Sequence, residues 1–144
     1  MGMFGAIDAA ASGLTAERLR MDVISNNIAN VNTTRTTEGG PYRRQMVVFA
    51  PKTNEENFAQ VLSGHLDTDN GVRVVGIGKD NSPTRKVYDP AHPDANKDGY
   101  VEMPNINIVT EMVDMITATR AYEANVTVLN AAKSMALKAL EIGK

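Results

Sequence analysis

The densest run of hard-oxygen side chains lies between Asp94 and Glu102. Asp94, Asn96 and Asp98 stand at alternate positions and Gly99 follows them. That is the first half of an EF-hand calcium loop, in which several oxygens gather around a tight turn. The second half departs from it. Position 12 would be Asn105 where a bidentate glutamate is required, position 11 is Pro104, and Pro90 and Pro93 break any entering helix. The spacing reads first as a tight turn leading into a short strand at Tyr100 to Glu102, with a weak calcium-binding loop at Asp94–Glu102 as the alternative. The only imidazoles, His65 and His92, sit among turn-forming or polar residues, apart from any nucleophile in an elbow motif. Gly76-Ile77-Gly78 lacks both the third glycine and the following helix of a dinucleotide fingerprint. These residues point away from an enzyme and call for no cofactor and no metal.

The most unusual run is Asn26-Asn27-Ile28-Ala29-Asn30-Val31-Asn32-Thr33. Asn is a mediocre helix former, and two readings follow. In one, the run is a fraying, solvated helix end, with Asn32 free to adopt the left-handed conformation. In the other, Asn26 or Asn27 shares a face with Asn30, and amides that both donate and accept bind polar groups on an adjacent element. A buried Asn costs stability but rejects a wrong alignment.

Two long helices must position this run. From Phe4, the residues Ile7, Ala11, Leu14, Met21 and Ile28 recur at spacings of three and four, with Arg18 and Ser25 interrupting, and no proline occurs before Pro41. This helix ends between Asn30 and Thr33, ahead of the break at Gly39-Gly40-Pro41. Near the other terminus, Met112, Met115, Thr119, Tyr122, Val126, Leu129, Lys133, Ala136 and Leu140 keep heptad spacing after Pro104. Asn105 or Asn107 caps that helix and Gly143 stops it. Strands are expected at Tyr42–Ala50, Gly71–Gly78 and Pro83–Tyr88, with turns at Asp69-Asn70-Gly71 and Asp80–Pro83; Glu55–Gly64 is ambiguous. The expected fold is mainly α with a small β insert: two long terminal helices form a coiled-coil-like hairpin around a β-rich middle. Residues 1–34 and 104–144 make a discontinuous helical assembly domain, and 35–103 make the insert.

Composition narrows the class. Aromatics are 5% with no Trp, so the apolar residues are mostly aliphatic and suit narrow helix seams. A net charge of −2 gives no field that favours nucleic acid. Cysteine is absent, which excludes disulfides and thiol chemistry. The start lacks the charged and apolar regions of a cleavable signal peptide, and no apolar stretch is long enough to insert in a membrane. A two-helix hairpin covers only part of each seam, and the apolar remainder calls for other subunits. The chain is expected to be a structural subunit of a helical polymer.

Motifs along almost the whole chain then fit one family. Ser12-Gly13-Leu14-Thr15-Ala16 together with Asn26 through Thr33 resembles the N-terminal signature of the bacterial flagellar axial proteins, the rod, hook and hook-associated subunits. Gly40-Pro41-Tyr42-Arg43-Arg44-Gln45, Asp89 through Asp94 with Gly99-Tyr100-Val101, and Pro104 through Val113 with Arg120–Asn125 and Lys133-Ser134-Met135 resemble the proximal rod subunits. The resemblance implies a subunit exported unfolded by the flagellar type III apparatus, without a cleaved signal. It implies assembly, on the periplasmic side of the inner membrane, into the driveshaft between the membrane ring and the hook; another rod subunit is the alternative. Implied partners are other rod subunits, copies of itself, and the adaptor and ring proteins at the rod base, with no nucleic acid, no membrane insertion and no cofactor. The residues expected at subunit interfaces are Leu14, Met21, Asn26, Asn27, Asn30, Asn32, Thr33, Met112, Met115, Arg120, Tyr122, Asn125, Val126, Leu129 and Leu140.

Overall fold

The computed structural model describes residues 3–52 and 71–142. His65, Glu55–Gly64, the Asp69-Asn70 part of one expected turn and the Gly143 stop lie outside the described residues. The order is α1 (Met3–Ala29), β1 (Gln45–Pro51), β2 (Val72–Lys79), β3 (Arg85–Tyr88), β4 (Tyr100–Met103) and α2 (Ile108–Ile142). Two long helices thus flank a small β-rich middle, as expected, and the strands fall where alternation and turn residues put them.

The helix ends follow from side-chain chemistry. Asn30 closes α1: its backbone N–H and its Nδ2 both donate to the Asn26 carbonyl, at 3.1 and 2.9 Å. Asn107 opens α2, its Oδ1 accepting from the Val109 amide at 3.0 Å. Asn105, the other capping candidate, serves elsewhere: its Oδ1 accepts from the Arg44 amide at 2.9 Å. β1 pairs with β2, and β3 with β4 in a separate two-stranded sheet. The second pair is antiparallel, with Val87 opposite Val101 and Tyr88 opposite Tyr100. Its connection turns at Gly99, where φ is +78° and an added Cβ would lie 2.9 Å from the Tyr88 ring. Only glycine fits that position on both counts.

The chain forms two compact units. One draws on α1 up to Leu19, the end of β1 from Phe49, the start of β2 through Val75, and α2 from Ala118. The other takes α1 from Arg20, the chain through Val48, and Gly76–Thr117. Small residues fill the first: Ala10, Ala16, Ala118 and Ala132 are buried. Here the helices approach so closely that a Cβ on Gly13 would lie 2.8 Å from Asn125 Nδ2. Val23, Ile24, Val101 and Ile106 are the buried apolar residues of the second.

The buried line of α2 therefore runs Glu111, Ala118, Ala132, with half-buried Asn125 between them, and Met115, Tyr122, Leu129 and Ala136 half-buried alongside. It shares the second set of positions with the line read from the sequence. The first set falls one residue earlier than Met112, Thr119, Val126 and Lys133. On α1, Ala16, Val23 and Asn27 are buried, while Ile7, Leu14, Met21 and Ile28 are half-buried. Close helix approach selects small side chains, so the largest apolar residues are pushed off the line of closest contact.

Candidate functional site

Within the second unit, α1, the loop before β1 and α2 meet in a buried polar clasp. Asn27 and Glu111 are both 0% exposed. Asn27 uses its whole amide. Nδ2 donates to the Gln45 carbonyl at 2.9 Å and to Glu111 Oε2 at 3.0 Å. Oδ1 accepts from the Gln45 amide at 2.9 Å and from the Tyr42 hydroxyl at 3.2 Å. Toward Gln45 the side chain thus behaves like a neighbouring strand, satisfying both backbone groups at the start of β1. Arg44 Nε donates to Glu111 Oε1 at 2.6 Å, and its Nη2 to Asp114 Oδ2 at 3.1 Å. Arg20 lies 3.7 Å from the other Asp114 oxygen. Two carboxylates and two guanidiniums leave the cluster neutral, and paired buried charge of this kind is tolerated only with its hydrogen bonds made. Burial first, and the charge of Glu111 second, hold the Tyr42 hydroxyl above its ordinary pKa, with Lys79 opposing.

The asparagine run divides its labour. Asn27 is the clasp and Asn30 the helix stop, whose Oδ1 also accepts from the Thr33 hydroxyl at 3.1 Å. The Thr33 carbonyl in turn accepts the Tyr42 amide at 3.0 Å. Asn26 and Asn32 are exposed. The adjacent-element reading holds at Asn27, and the solvated helix end at Asn26 and Asn32; Asn32 does not take up the left-handed conformation, because Asn30 already closes the helix with its own backbone and side-chain bonds. Tyr42, Arg44 and Glu111 were not among the expected interface residues. The signal for Glu111 was available: it stands seven residues before Ala118, fourteen before Asn125 and twenty-one before Ala132.

In the first unit Ser12 ties α1 to β2. Its hydroxyl donates to the Ala9 carbonyl at 2.7 Å and accepts the Val72 amide at 3.1 Å. Of the remaining expected residues, Leu14, Met21, Met115, Tyr122, Asn125, Val126 and Leu129 are half-buried, while Met112, Arg120 and Leu140 face solvent. Asn125 stands against Gly13.

Two of the three candidate ligands in the loop from Asp94 to Gly99, Asp94 and Asn96, spend a side-chain oxygen on the protein. Asn96 Oδ1 accepts the amides of Asp98 and Tyr100, at 3.0 and 2.9 Å. Asp94 Oδ2 accepts the Thr34 hydroxyl at 2.8 Å. Among the described residues no group of three or more His, Cys, Asp or Glu side chains could hold a metal ion. The geometry is that of an Asx-stabilised turn.

What the chain offers outward is apolar. On the first turns of α2, Val109, Met112, Val113 and Ile116 are all more than half exposed, Val109 the most at 69%. They recur at helical spacing and form one stripe. Further along α2, Val128, Met135, Leu137 and Leu140 also face solvent, and so do Met46, Val48 and Ile77 on the strands. Among the described residues no helix is long and apolar enough to cross a membrane.

Comparison with known proteins agrees with this arrangement. Residues 7–35 match the family described as "Flagella basal body rod protein", and residues 97–142 match "Flagellar basal body rod FlgEFG protein C-terminal". The chain is 57% identical to the flagellar basal-body rod protein FlgC of Borreliella burgdorferi, over 99% of this chain and 98% of that one. It is 49% identical to FlgC of Bacillus subtilis and 39% identical to FlgC of Escherichia coli O157:H7, each covered end to end on both sides. The two matched segments hold most of α1 and all of the described α2, and with them Asn27 and Glu111 of the clasp, the seam and the exposed stripe, while Tyr42, Arg44 and Gln45 lie between the segments. The chain belongs to the FlgC family of flagellar basal-body rod proteins.

Proposed function

We propose that this structural rod subunit polymerises through its terminal helices into the proximal part of the flagellar rod, the driveshaft between the membrane ring and the hook, and that it performs no catalysis. The observation that carries this is the inverted distribution of side chains on α2. Alanines close the seam inside the chain, while Val109, Met112, Val113 and Ile116 face outward. An apolar stripe of that kind is normally a contact surface. In a subunit whose neighbours are equivalent but displaced, a head-to-tail contact that does not close generates a helix of subunits.

The same reading makes residues 1–34 and 104–144 the assembly domain and 35–103 a small insert carried on it. Other rod subunits, copies of this chain, and the adaptor and ring proteins at the rod base are the partners, met on the periplasmic side of the inner membrane. The flagellar type III apparatus delivers the chain there unfolded. A narrow alanine seam leaves the isolated chain only marginally stable, and contacts with neighbours in the rod add to that stability. The test is to locate a tagged chain in purified basal bodies by electron microscopy. Label on the rod at its membrane-ring end is expected. Label confined to the distal rod or hook, or absent from basal bodies, would overturn the reading.

A further inference from the structure

We infer that the solvent side of α2 takes α1 of a second copy of this chain, laid antiparallel, along the line of α1 that holds Ile7 and Leu14. The inference rests on the assembly reading and names the two faces that meet.

α2 carries a second apolar line besides its buried one. The buried line holds Ala118, Asn125 and Ala132. About a quarter turn away around the helix, Ala124, Val128, Ala131 and Met135 recur at spacings of four, three and four, and all of them face solvent. Val128 is 49% exposed and Met135 62%. No charge interrupts this line. A helix face left to water carries charged and polar residues, whereas an uncharged apolar line is a contact surface.

α1 has a matching remainder. Its buried side uses Ala10 and Ala16, and Ile7, Ala11 and Leu14, at spacings of four and three, are only half-buried. When α1 of one copy lies antiparallel on α2 of another, the two lines agree layer by layer. Ile7 meets Met135, Ala11 meets Ala131 and Leu14 meets Val128, and the stem of Arg18 lies over Ala124. The alanines allow close approach, and the bulkier pairs interlock on either side of them.

Charge selects the same alignment. Arg18 and Asp22 stand four residues apart on α1, and Arg120 and Glu123 three apart on α2. All four side chains are exposed, and none forms an ion pair among the described residues. The antiparallel alignment brings Arg18 to Glu123 and Asp22 to Arg120. Parallel helices would set Arg18 against Arg120 and Asp22 against Glu123, which like charges oppose. Pairing of α2 with α2 is the other way to cover the exposed line. That contact is self-complementary, closes as a pair, and leaves the α1 line open; α2 on the next copy's α1 repeats without closing and covers both.

The chain has no cysteine, so introduced thiols report the contact. Leu14→Cys chains and size-tagged Val128→Cys chains are expressed together in place of the native chain, and purified basal bodies are oxidised. A disulfide between untagged and tagged copies is expected. Its yield should exceed at least about tenfold that obtained with Lys133→Cys in place of Val128→Cys, because Lys133 stands nearly half a turn away on α2. Preferential links between two Val128→Cys copies, or no link in assembled basal bodies, would overturn the proposal. Charge reversals cover cysteine variants that do not assemble. Arg18→Glu and Glu123→Arg alter exposed residues, so each chain should unfold in urea as the unaltered one does. Incorporation of either should fall at least about fivefold, and the double variant should recover it. Undiminished incorporation of the single variants, or no recovery in the double, would also overturn the proposal. A tagged, otherwise unaltered chain tells the two failures apart. Its absence from basal bodies removes the assembly reading and this contact with it; its presence there without these signals removes this contact alone.

Discussion

Asn27 makes four hydrogen bonds and spans three segments, so its loss should exceed that of an ordinary side chain. Asn27→Ala leaves the Gln45 amide and carbonyl and one Glu111 oxygen without partners. Each orphaned buried group costs about 1–3 kcal/mol, partly relieved where water enters. A net destabilisation of about 2–4 kcal/mol is expected in urea unfolding. Asn26→Ala, at an exposed position of the same run, should change stability by less than about 0.5 kcal/mol. Tyr42 gives the clasp a pH dependence. Its folded pKa is raised above the ordinary value, by burial first, so the folded state favours the neutral phenol. That contribution is complete below about pH 10 and is lost as pH rises through the higher folded value. Stability measured from about pH 9 to 11 should fall more steeply in the unaltered chain than in Tyr42→Phe. Equal slopes would show that Tyr42 does not carry this dependence.

At the scale of elements, the helices, the strands and the Asx turn could be read from the sequence because each obeys a local rule. Proline-free periodicity marks α1, Asn107 caps α2, and alternation with glycine turns marks β1 to β4. The phase of the helix seam could not be read that way. Periodicity in hydrophobicity assigns Met112 and Val126 to the inside, yet the residues at closest approach are Glu111, Ala118, Asn125 and Ala132. Hydrophobicity is a guide to burial where a core is thick enough to swallow large side chains. In a two-helix seam the distance between axes decides, and it favours small residues and one satisfied carboxylate. Gly13 follows the same rule. Gly13→Leu should force the helices apart at Asn125 and lower stability by about 1–3 kcal/mol, the usual range for overpacking, while Gly13→Ala should cost less, because it displaces only the Asn125 amide. The hairpin turn allows an independent check. Gly99→Ala meets both a positive φ and the Tyr88 ring, and a loss of about 1–2 kcal/mol is expected from the backbone conformation alone. A cost below about 0.5 kcal/mol would show that the turn rearranges without strain.

For the whole molecule, the two sides of α2 serve different ends, and substitutions can separate them. Leu129 is half-buried on the inner line. Leu129→Asp puts a charge beside the alanines, so it should weaken the chain's own folding as well as its assembly. Val113 lies on the outer stripe at 57% exposure. In the isolated chain Val113→Asp changes a solvated surface position and should alter stability by less than about 0.5 kcal/mol. In a polymer the same position lies against a neighbour, where an unpaired carboxylate loses its hydration. Both variants should therefore be missing from purified basal bodies when expressed in place of the native chain, and cells carrying either should fail to swim. Only Leu129→Asp should also unfold more easily in urea. Full incorporation of Val113→Asp would mean that the outer stripe faces solvent in the rod. The subunit contact would then have to be sought on the strand surface formed by Met46, Val48 and Ile77, where the next charge substitutions would be placed.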